Sequence, residues 1–309
     1  MTALTTPAAT TRTRTTVRGR RMFTGFGPLL VSPAFLFVLV FVLFPLGFAV
    51  YISLTNWPLI GPYHFVGLRN YAQIGQDAVF GSSVRFTLVY TGIVTLPILV
   101  LGYLLAVLVR ANRFGVTALR TAFFLPFVVG LTTESFMAYL ELQPKTGAVN
   151  FVLDKLGITD GSTAWLVHSV PAIAAVCVLV VWSASGLTMM LLMAGMQGIP
   201  KELYESADVD GASWWRKELT ITIPLLRRTI ALSLILSVIG SFLAFNQFFI
   251  LTQGGPDVST TTVVMWIYQK AFVQLHVGAA TALSIILVIA VGVISLVQFL
   301  LLRDRTSET

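Results

Sequence analysis

The chain has 309 residues, of which 56% are apolar and 11% charged, with a mean hydropathy of +0.85. A soluble domain carries roughly 25% charged residues, so this composition excludes a water-soluble globule. The single cysteine, Cys177, excludes a disulfide scaffold, and a formal net charge of +7 raises the question of which loops hold the basic residues.

Residues 1–24 are rich in Thr and Arg and show no apolar period. They are expected to form a disordered, basic tail able to touch anionic lipid. A transit peptide is the competing reading, because the tail lacks acids. A cleaved signal peptide fits worse, since the apolar run that follows is too long for one. Six apolar segments come next, from Leu29 to Leu54, Phe86 to Val109, Thr121 to Leu140, Ser169 to Gly195, Thr229 to Leu251 and Gly278 to Leu302. Each is long enough for a helix across a hydrocarbon core of about 30 Å. The runs are continuous, whereas barrel strands would alternate over about ten residues. The expected fold class is therefore an all-α integral membrane protein with six transmembrane helices.

Lysine and arginine set the expected orientation. With the N-terminus inside, fifteen of the twenty fall on inner pieces, among them Arg110, Arg113, Arg120, Lys201, Arg303 and Arg305. The outer pieces hold Arg69, Arg85, Lys145, Lys155 and Lys270. That excess places both termini in the cytoplasm. The organisation expected is a tail at 1–24, a first span and outer loop at 25–83, a transmembrane core at 84–302 and a cytoplasmic tail at 303–309.

Catalytic constellations are missing. No lysine follows a glycine, so a Gly-Lys-Ser/Thr phosphate loop is absent. One cysteine and His64, His168 and His276, all in outer loops, offer no metal-ligand spacing. No Gly-x-Ser-x-Gly elbow occurs. Within the spans the exception to charge neutrality is Glu134, with Glu141 near the outer end of the third span. Glu134 stands 14 residues beyond Arg120, about 21 Å along a helix. An intramembrane carboxylate marks a functional position by default. The alternative is a Glu that reaches the outer interface or faces a partner subunit. An ion-driven carrier would show several such groups, so the energy source is expected outside this chain.

The inner segment from Gln197 to Arg228 is too long and too patterned for a connector. Pro200 can occupy the first turn of a helix. Lys201 to Asp210 then make about three turns, with Leu203, Tyr204 and Ala207 on one edge and Glu202, Glu205 and Asp208 on the neighbouring stripe. Gly211 ends the helix. A second short helix carries Trp214 and Trp215 and is expected to end before Pro224.

At these residues the chain resembles the permease subunits of binding-protein-dependent ABC importers. Their hallmark is Glu-Ala-Ala, three residues, Gly, nine residues, Ile, one residue, and an apolar residue before Pro. Glu205-Ser206-Ala207, Gly211, Ile221 and Ile223-Pro224 stand at that spacing. Ser206 and Ile223 replace the commoner Ala and Leu. Further resemblance to carbohydrate-type permeases lies in Ser53-Leu54-Thr55-Asn56-Trp57, Phe65-Val66-Gly67-Leu68-Arg69-Asn70-Tyr71, Gly147-Ala148-Val149-Asn150 and Ala194-Gly195-Met196-Gln197. Leu251-Thr252-Gln253-Gly254-Gly255-Pro256 points to the maltose-type branch.

The resemblance implies a type I importer permease fold with a cytoplasmic coupling helix, in a bacterial or archaeal cytoplasmic membrane. It implies a second, homologous permease, two ATPase subunits that bind ATP and Mg, an extracytoplasmic solute-binding protein and a sugar solute. No cofactor, metal or nucleic acid is expected on this chain, and it is not expected to be an enzyme. Glu205, Ser206, Ala207, Asp208, Gly211, Ile221 and Pro224 would meet the ATPase. The fourth and fifth spans would carry the solute, through Trp182, Ser185, Gly186, Ser241, Phe242, Phe245, Asn246 and Gln247. On a continuous helix Ser241 and Phe245 share one face and Phe242 and Asn246 the adjacent one. Ordinary helix packing is the alternative for all of these. A stand-alone secondary carrier, and a permease for a glycerol phosphate-type solute, remain the alternative functions.

Overall fold

The computed structural model describes residues 27–111, 114–256 and 258–302, with side chains from Val31 onward. The tails expected at 1–24 and 303–309, and Arg113, lie outside the described residues. Two compact units divide the chain, one ending at Phe48 and the other beginning at Ala49. The first contains α1 (Gly27–Val38) and a π-helical turn, Leu39–Leu43, that leads into α2 (Phe44–Ser53). Every described side chain from Val31 to Phe48 is exposed. A helix apolar on all sides suits lipid or a neighbouring helix, not water.

The second unit is helical throughout, with isolated bridges at Thr55–Phe65 and Pro58–His276 in place of strands among the described residues. A short α3 (Arg69–Ile74) precedes α4 (Ala78–Val109). At 32 residues α4 begins eight residues before the expected span. It packs most extensively on α8 (Ser169–Gln197), where Thr188 lies so close to Gly102 that a side chain at Gly102 would collide with it. Between them run α5 (Val116–Val129), α6 (Leu131–Glu141) and the short α7 (Ala148–Lys155).

The third span is not the single helix expected over Thr121 to Leu140. It bends by 93° between α5 and α6. Gly130 sits at the break with φ 88° and ψ 139°, a region open to glycine and closed to residues with a Cβ.

The segment after α8 forms α9 (Lys201–Val209), α10 (Trp214–Lys217), a π turn (Glu218–Thr222) and α11 (Ile223–Leu225). Pro200 precedes α9 in an extended conformation instead of joining its first turn. Helical structure also continues past Pro224 instead of stopping before it: the proline is the second residue of α11, directly after the π turn.

The fifth span is α12 (Arg227–Phe242) followed by α13 (Asn246–Leu251). Its expected continuity fails at Leu243–Phe245, where Phe245 takes φ −139° and ψ −60°. The relation of Ser241 to Phe245 and of Phe242 to Asn246 across one helix turn is therefore lost. Thr262 compensates for the break. Its hydroxyl donates to the Ala244 carbonyl (2.7 Å) and accepts from the Met265 N–H (3.2 Å), so one side chain also caps α14 (Val263–Tyr268). A π turn, Gln269–Val273, leads to α15 (Val277–Leu302).

Two of the segments that resemble carbohydrate permeases pin neighbouring chain through an asparagine on a short helix. Asn70 donates to the Ser53 and Thr55 carbonyls (2.8 and 2.7 Å). Asn150 donates to the Gln143 and Thr163 carbonyls (3.0 Å each) and accepts from the Trp165 indole (2.9 Å).

Asp77 caps α4, accepting from the Val79 and Phe80 N–H groups (3.0 and 3.1 Å) and from the Trp266 indole (3.1 Å). It also pairs with Lys270 (3.2 Å). Burial pushes its carboxyl up, but the Phe80 N–H, Lys270 and the indole outweigh burial and hold it below its ordinary value. A lowered folded pKa stabilises above the unfolded value and ceases to do so as pH falls through the folded one. Asp77→Ala is expected to cost about 1–2 kcal/mol near neutral pH. The deficit against the parent should shrink below the ordinary carboxylate range, as followed by thermal unfolding in detergent across a pH series.

Candidate functional site

A cavity of about 360 Å³ opens among α4, α5, α6, α8, α12 and α13. Its polar wall is a stripe on α12: Ser233, Ser237 and Ser241, four residues apart and hence on one face. Ser241 returns its hydroxyl to the Ser237 carbonyl (2.8 Å). The Ser233 and Ser237 hydroxyls are buried and unpaired. Gln247 and Tyr90 join across the cavity edge by an amide-to-phenol bond of 3.2 Å. Ser183 and Thr188 of α8 add hydroxyls, and Ile98, Phe127, Leu131 and Leu236 supply apolar wall. Among the described residues, no charged one lines the cavity. Its size falls within the range of small-molecule pockets. Its groups can exchange hydrogen bonds with a neutral polyol, but they include no acid–base pair for bond-breaking chemistry.

Of the eight residues expected on the pathway, Ser241 and Gln247 line this cavity. Trp182 lines a separate one, beside Glu134. Ser185 turns its hydroxyl back onto the Val181 and Trp182 carbonyls. Gly186 is a packing position, since a Cβ there would collide with the Phe123 carbonyl of α5. Phe242 is buried with Val238, Val263 and Leu287. Phe245 stacks with Phe249 (5.1 Å) and meets Tyr268 (5.3 Å). Asn246 is exposed at the start of α13 and does not line the cavity. Ser233 and Ser237 were missed by the sequence reading, although the spacing of serines at 233, 237 and 241 was visible.

The loop between α8 and α12 forms the second half of the site. Glu202, Glu205 and Ser206 are exposed on α9, and Asp208 pairs with Lys217 (2.6 Å). Ala207 and Ile221 are half-buried, whereas Pro224 is exposed. Gly211 ends α9 with φ 68°. Leu203, Val209, Trp214, Trp215 and Leu219 present apolar surface beside these acids.

Two contacts bind this loop inward. The Tyr204 and Thr222 hydroxyls meet at 2.9 Å. Glu218, only 2% exposed, accepts from the Tyr103 hydroxyl (2.6 Å) and pairs with Arg110 (2.8 Å) at the end of α4. Arg120 of α5 closes the same corner by donating twice to the Val109 carbonyl (2.7 and 3.0 Å). The spacing motif singled out Glu205 and Gly211 but gave no sign of Glu218, because its partners lie more than 100 residues earlier.

Residues 85–307 match the family model for the binding-protein-dependent transport system inner membrane component. The chain belongs to this permease family. A probable ABC transporter permease of Pyrococcus horikoshii is 32% identical over 271 residues, spanning 87% of this permease and 92% of the relative. A multiple sugar-binding transport system permease of Streptococcus mutans is 33% identical over 270 residues, with the same two coverages. A diacetylchitobiose uptake system permease of Streptomyces coelicolor is 32% identical over 293 residues, covering 91% and 82%. In fold, the permease is similar to a chain of a bacterial ABC transporter that imports the acidic polysaccharide alginate. The TM-score is 0.79 at 22% identity, over 90% of this chain and 95% of that one. The expected type I permease fold is therefore observed.

The clamp at Glu218 yields a test. Removing one member of a buried ion pair costs about 3–5 kcal/mol, because the other charge is left uncompensated. Arg110→Met and Glu218→Met should each destabilise the permease. The double variant should be more stable than the sum of the two losses implies, as measured by a double-mutant cycle of thermal unfolding in detergent.

Proposed function

We propose that this permease forms, with a second homologous permease, the membrane pathway of an ATP-driven importer for a neutral di- or oligosaccharide. An extracytoplasmic binding protein delivers the solute. Two ATPase subunits, which hold ATP and Mg, supply the energy, and this chain itself carries no cofactor. The protein is placed in a bacterial or archaeal cytoplasmic membrane, with both termini and the loop at 197–228 on the cytoplasmic side.

The observation that carries the solute class is the serine stripe. Two serines with unpaired hydroxyls stand in the wall of a neutral cavity, and on rotation those hydroxyls match the donors and acceptors of sugar hydroxyls. The absence of a cation among the described lining residues disfavours a glycerol phosphate-type solute. The sugar-transport relatives support the same class.

The coupling role rests on α9. It presents Glu202 and Glu205 beside exposed Leu203 and Trp214, a mixed surface suited to docking a water-soluble subunit. ATPase closure would press on α9, and the Glu218–Arg110 clamp would carry that displacement into α4. Switching between inward- and outward-open states is then a rigid-body change biased by the ATPases.

Two measurements test this. Uptake into vesicles by the complete importer should fall in Ser237→Leu and Ser241→Leu, while the ATPases still co-purify. Each lost hydrogen bond is worth roughly 1–3 kcal/mol once a polar partner is stranded. Unchanged affinity and rate in both variants would return the stripe to helix packing. Separately, Glu205→Lys reverses an exposed charge, and Gly211→Val places a β-branched residue at φ 68°. Both should lower ATPase co-purification or binding-protein-stimulated hydrolysis while membrane insertion persists. Parental levels of both, with normal uptake, would make this loop a solvated connector.

A further inference from the structure

α4 fixes the depth of the 197–228 loop in a bilayer. Between Leu88 and Leu108 this helix turns apolar side chains outward, Ile93, Leu96, Val100 and Leu104 among them. That interval rises about 30 Å, the thickness of a hydrocarbon core. Arg110 follows at the end of the helix and marks one edge of the core. Glu218 bonds to Tyr103 and Arg110 (2.6 and 2.8 Å), so the π turn that holds it lies at that edge. Trp215 and Leu219 flank Glu218 and stand within about 5 Å of the same depth.

Both side chains point away from the protein. Trp215 is 68% exposed and Leu219 63%. Four residues apart on a helix, they share a face. A leucine at this depth meets acyl chains, and an indole, with its apolar ring and single N–H donor, suits the headgroup boundary. Arg216, next to Trp215 in sequence, is exposed as well.

Charge divides the loop in two. Residues 201–210 carry Glu202, Glu205, Asp208 and Asp210 against Lys201. Residues 211–228 carry Arg216, Lys217, Arg227 and Arg228 against Glu218, which is buried in its clamp. Lys217 is taken by Asp208, whereas Arg216, Arg227 and Arg228 are exposed. A basic face that also carries tryptophan and leucine, at the edge of the hydrocarbon core, complements an anionic lipid surface. The acidic α9 does not.

We propose that the Trp215–Leu219 face docks on the inner leaflet and that Arg216 binds the phosphate of an anionic phospholipid there. α9 and Trp214 are left to the ATPase. The proposal rests on the reading that this loop is cytoplasmic.

The test uses the complete importer in vesicles of phosphatidylcholine and phosphatidylglycerol in equal parts. A photo-crosslinking benzoylphenylalanine replacing Trp215 should join to phospholipid. The same probe replacing Val209, exposed at the end of α9, should join to an ATPase subunit. In detergent, thermal stabilisation by short-chain phosphatidylglycerol should require about fivefold more lipid in Arg216→Gln than in the parent, the effect of removing one cation near a lipid surface. Short-chain phosphatidylcholine should act on both alike. Crosslinks from the Trp215 position to an ATPase, or to neither lipid nor protein, would overturn the proposal, as would parental phosphatidylglycerol dependence in Arg216→Gln. Lys201→Cys, in a Cys177→Ala chain, separates the reading beneath it. Labelling of that cysteine by an impermeant thiol reagent from outside the cell would sink the cytoplasmic placement. Labelling only after the membrane is opened, with ATPase crosslinks from the Trp215 position, would sink the lipid-docking face alone.

Discussion

A single buried carboxylate determines how the 197–228 loop meets the bundle. Glu218 lies in a π turn, enclosed by Tyr103 and Arg110. Burying an unpaired carboxylate costs several kcal/mol, so the loop has a strong preference for the one arrangement that brings those two groups to it. Arg110 directly follows the last residue of α4, where a cation also meets the negative end of the helix dipole. Arg120 ties α5 to the same carbonyl-rich corner. Three elements distant in sequence are thus joined at one end of the bundle by charge-assisted bonds. Apolar packing of Met189, Leu192, Met196 and Leu226 continues from there inward.

The clamp also accounts for the position of the serine stripe. α12 begins two residues after α11, and the Leu226 carbonyl accepts from the Ile230 N–H (2.8 Å), so the helical path is nearly continuous from the loop. Ser233 lies six residues into that helix, about 9 Å along its axis. In the proposed importer, a force on α9 therefore reaches the cavity wall through short, stiff connections. The Tyr204–Thr222 and Asp208–Lys217 contacts keep α9 from swinging independently. That path is a structural argument for coupling; coupling energy itself is a thermodynamic quantity between two states.

The parts of this structure legible in the sequence are those governed by local rules. Continuous apolar runs marked the spans, and the Pro200 and Gly211 boundaries framed α9 because they act within a few residues. The bend at Gly130 had a local signal too, a glycine four residues after Pro126. That signal is ambiguous, since Pro97 sits inside the unbroken α4. The break at Leu243–Phe245 had no local signal at all. It exists because Thr262, 18 residues away, takes over the freed Ala244 carbonyl. An apolar environment tolerates irregular backbone only where other protein groups satisfy it, and such a partner cannot be found by scanning the span itself. For the same reason Asn246 was misplaced on a shared face with Phe242, whereas the serines of the intact α12 kept their helical period.

The two cavities differ in the polar groups they leave unpaired. Around the serine stripe, unpaired groups are neutral hydroxyls, which can wait for a ligand at modest cost because each can rotate toward whatever arrives. Around Glu134 the unpaired group is a carboxyl, which would cost far more only as an ion. A transport site must be empty for part of every cycle, so its polar groups have to tolerate vacancy. The hydroxyl cavity meets that condition.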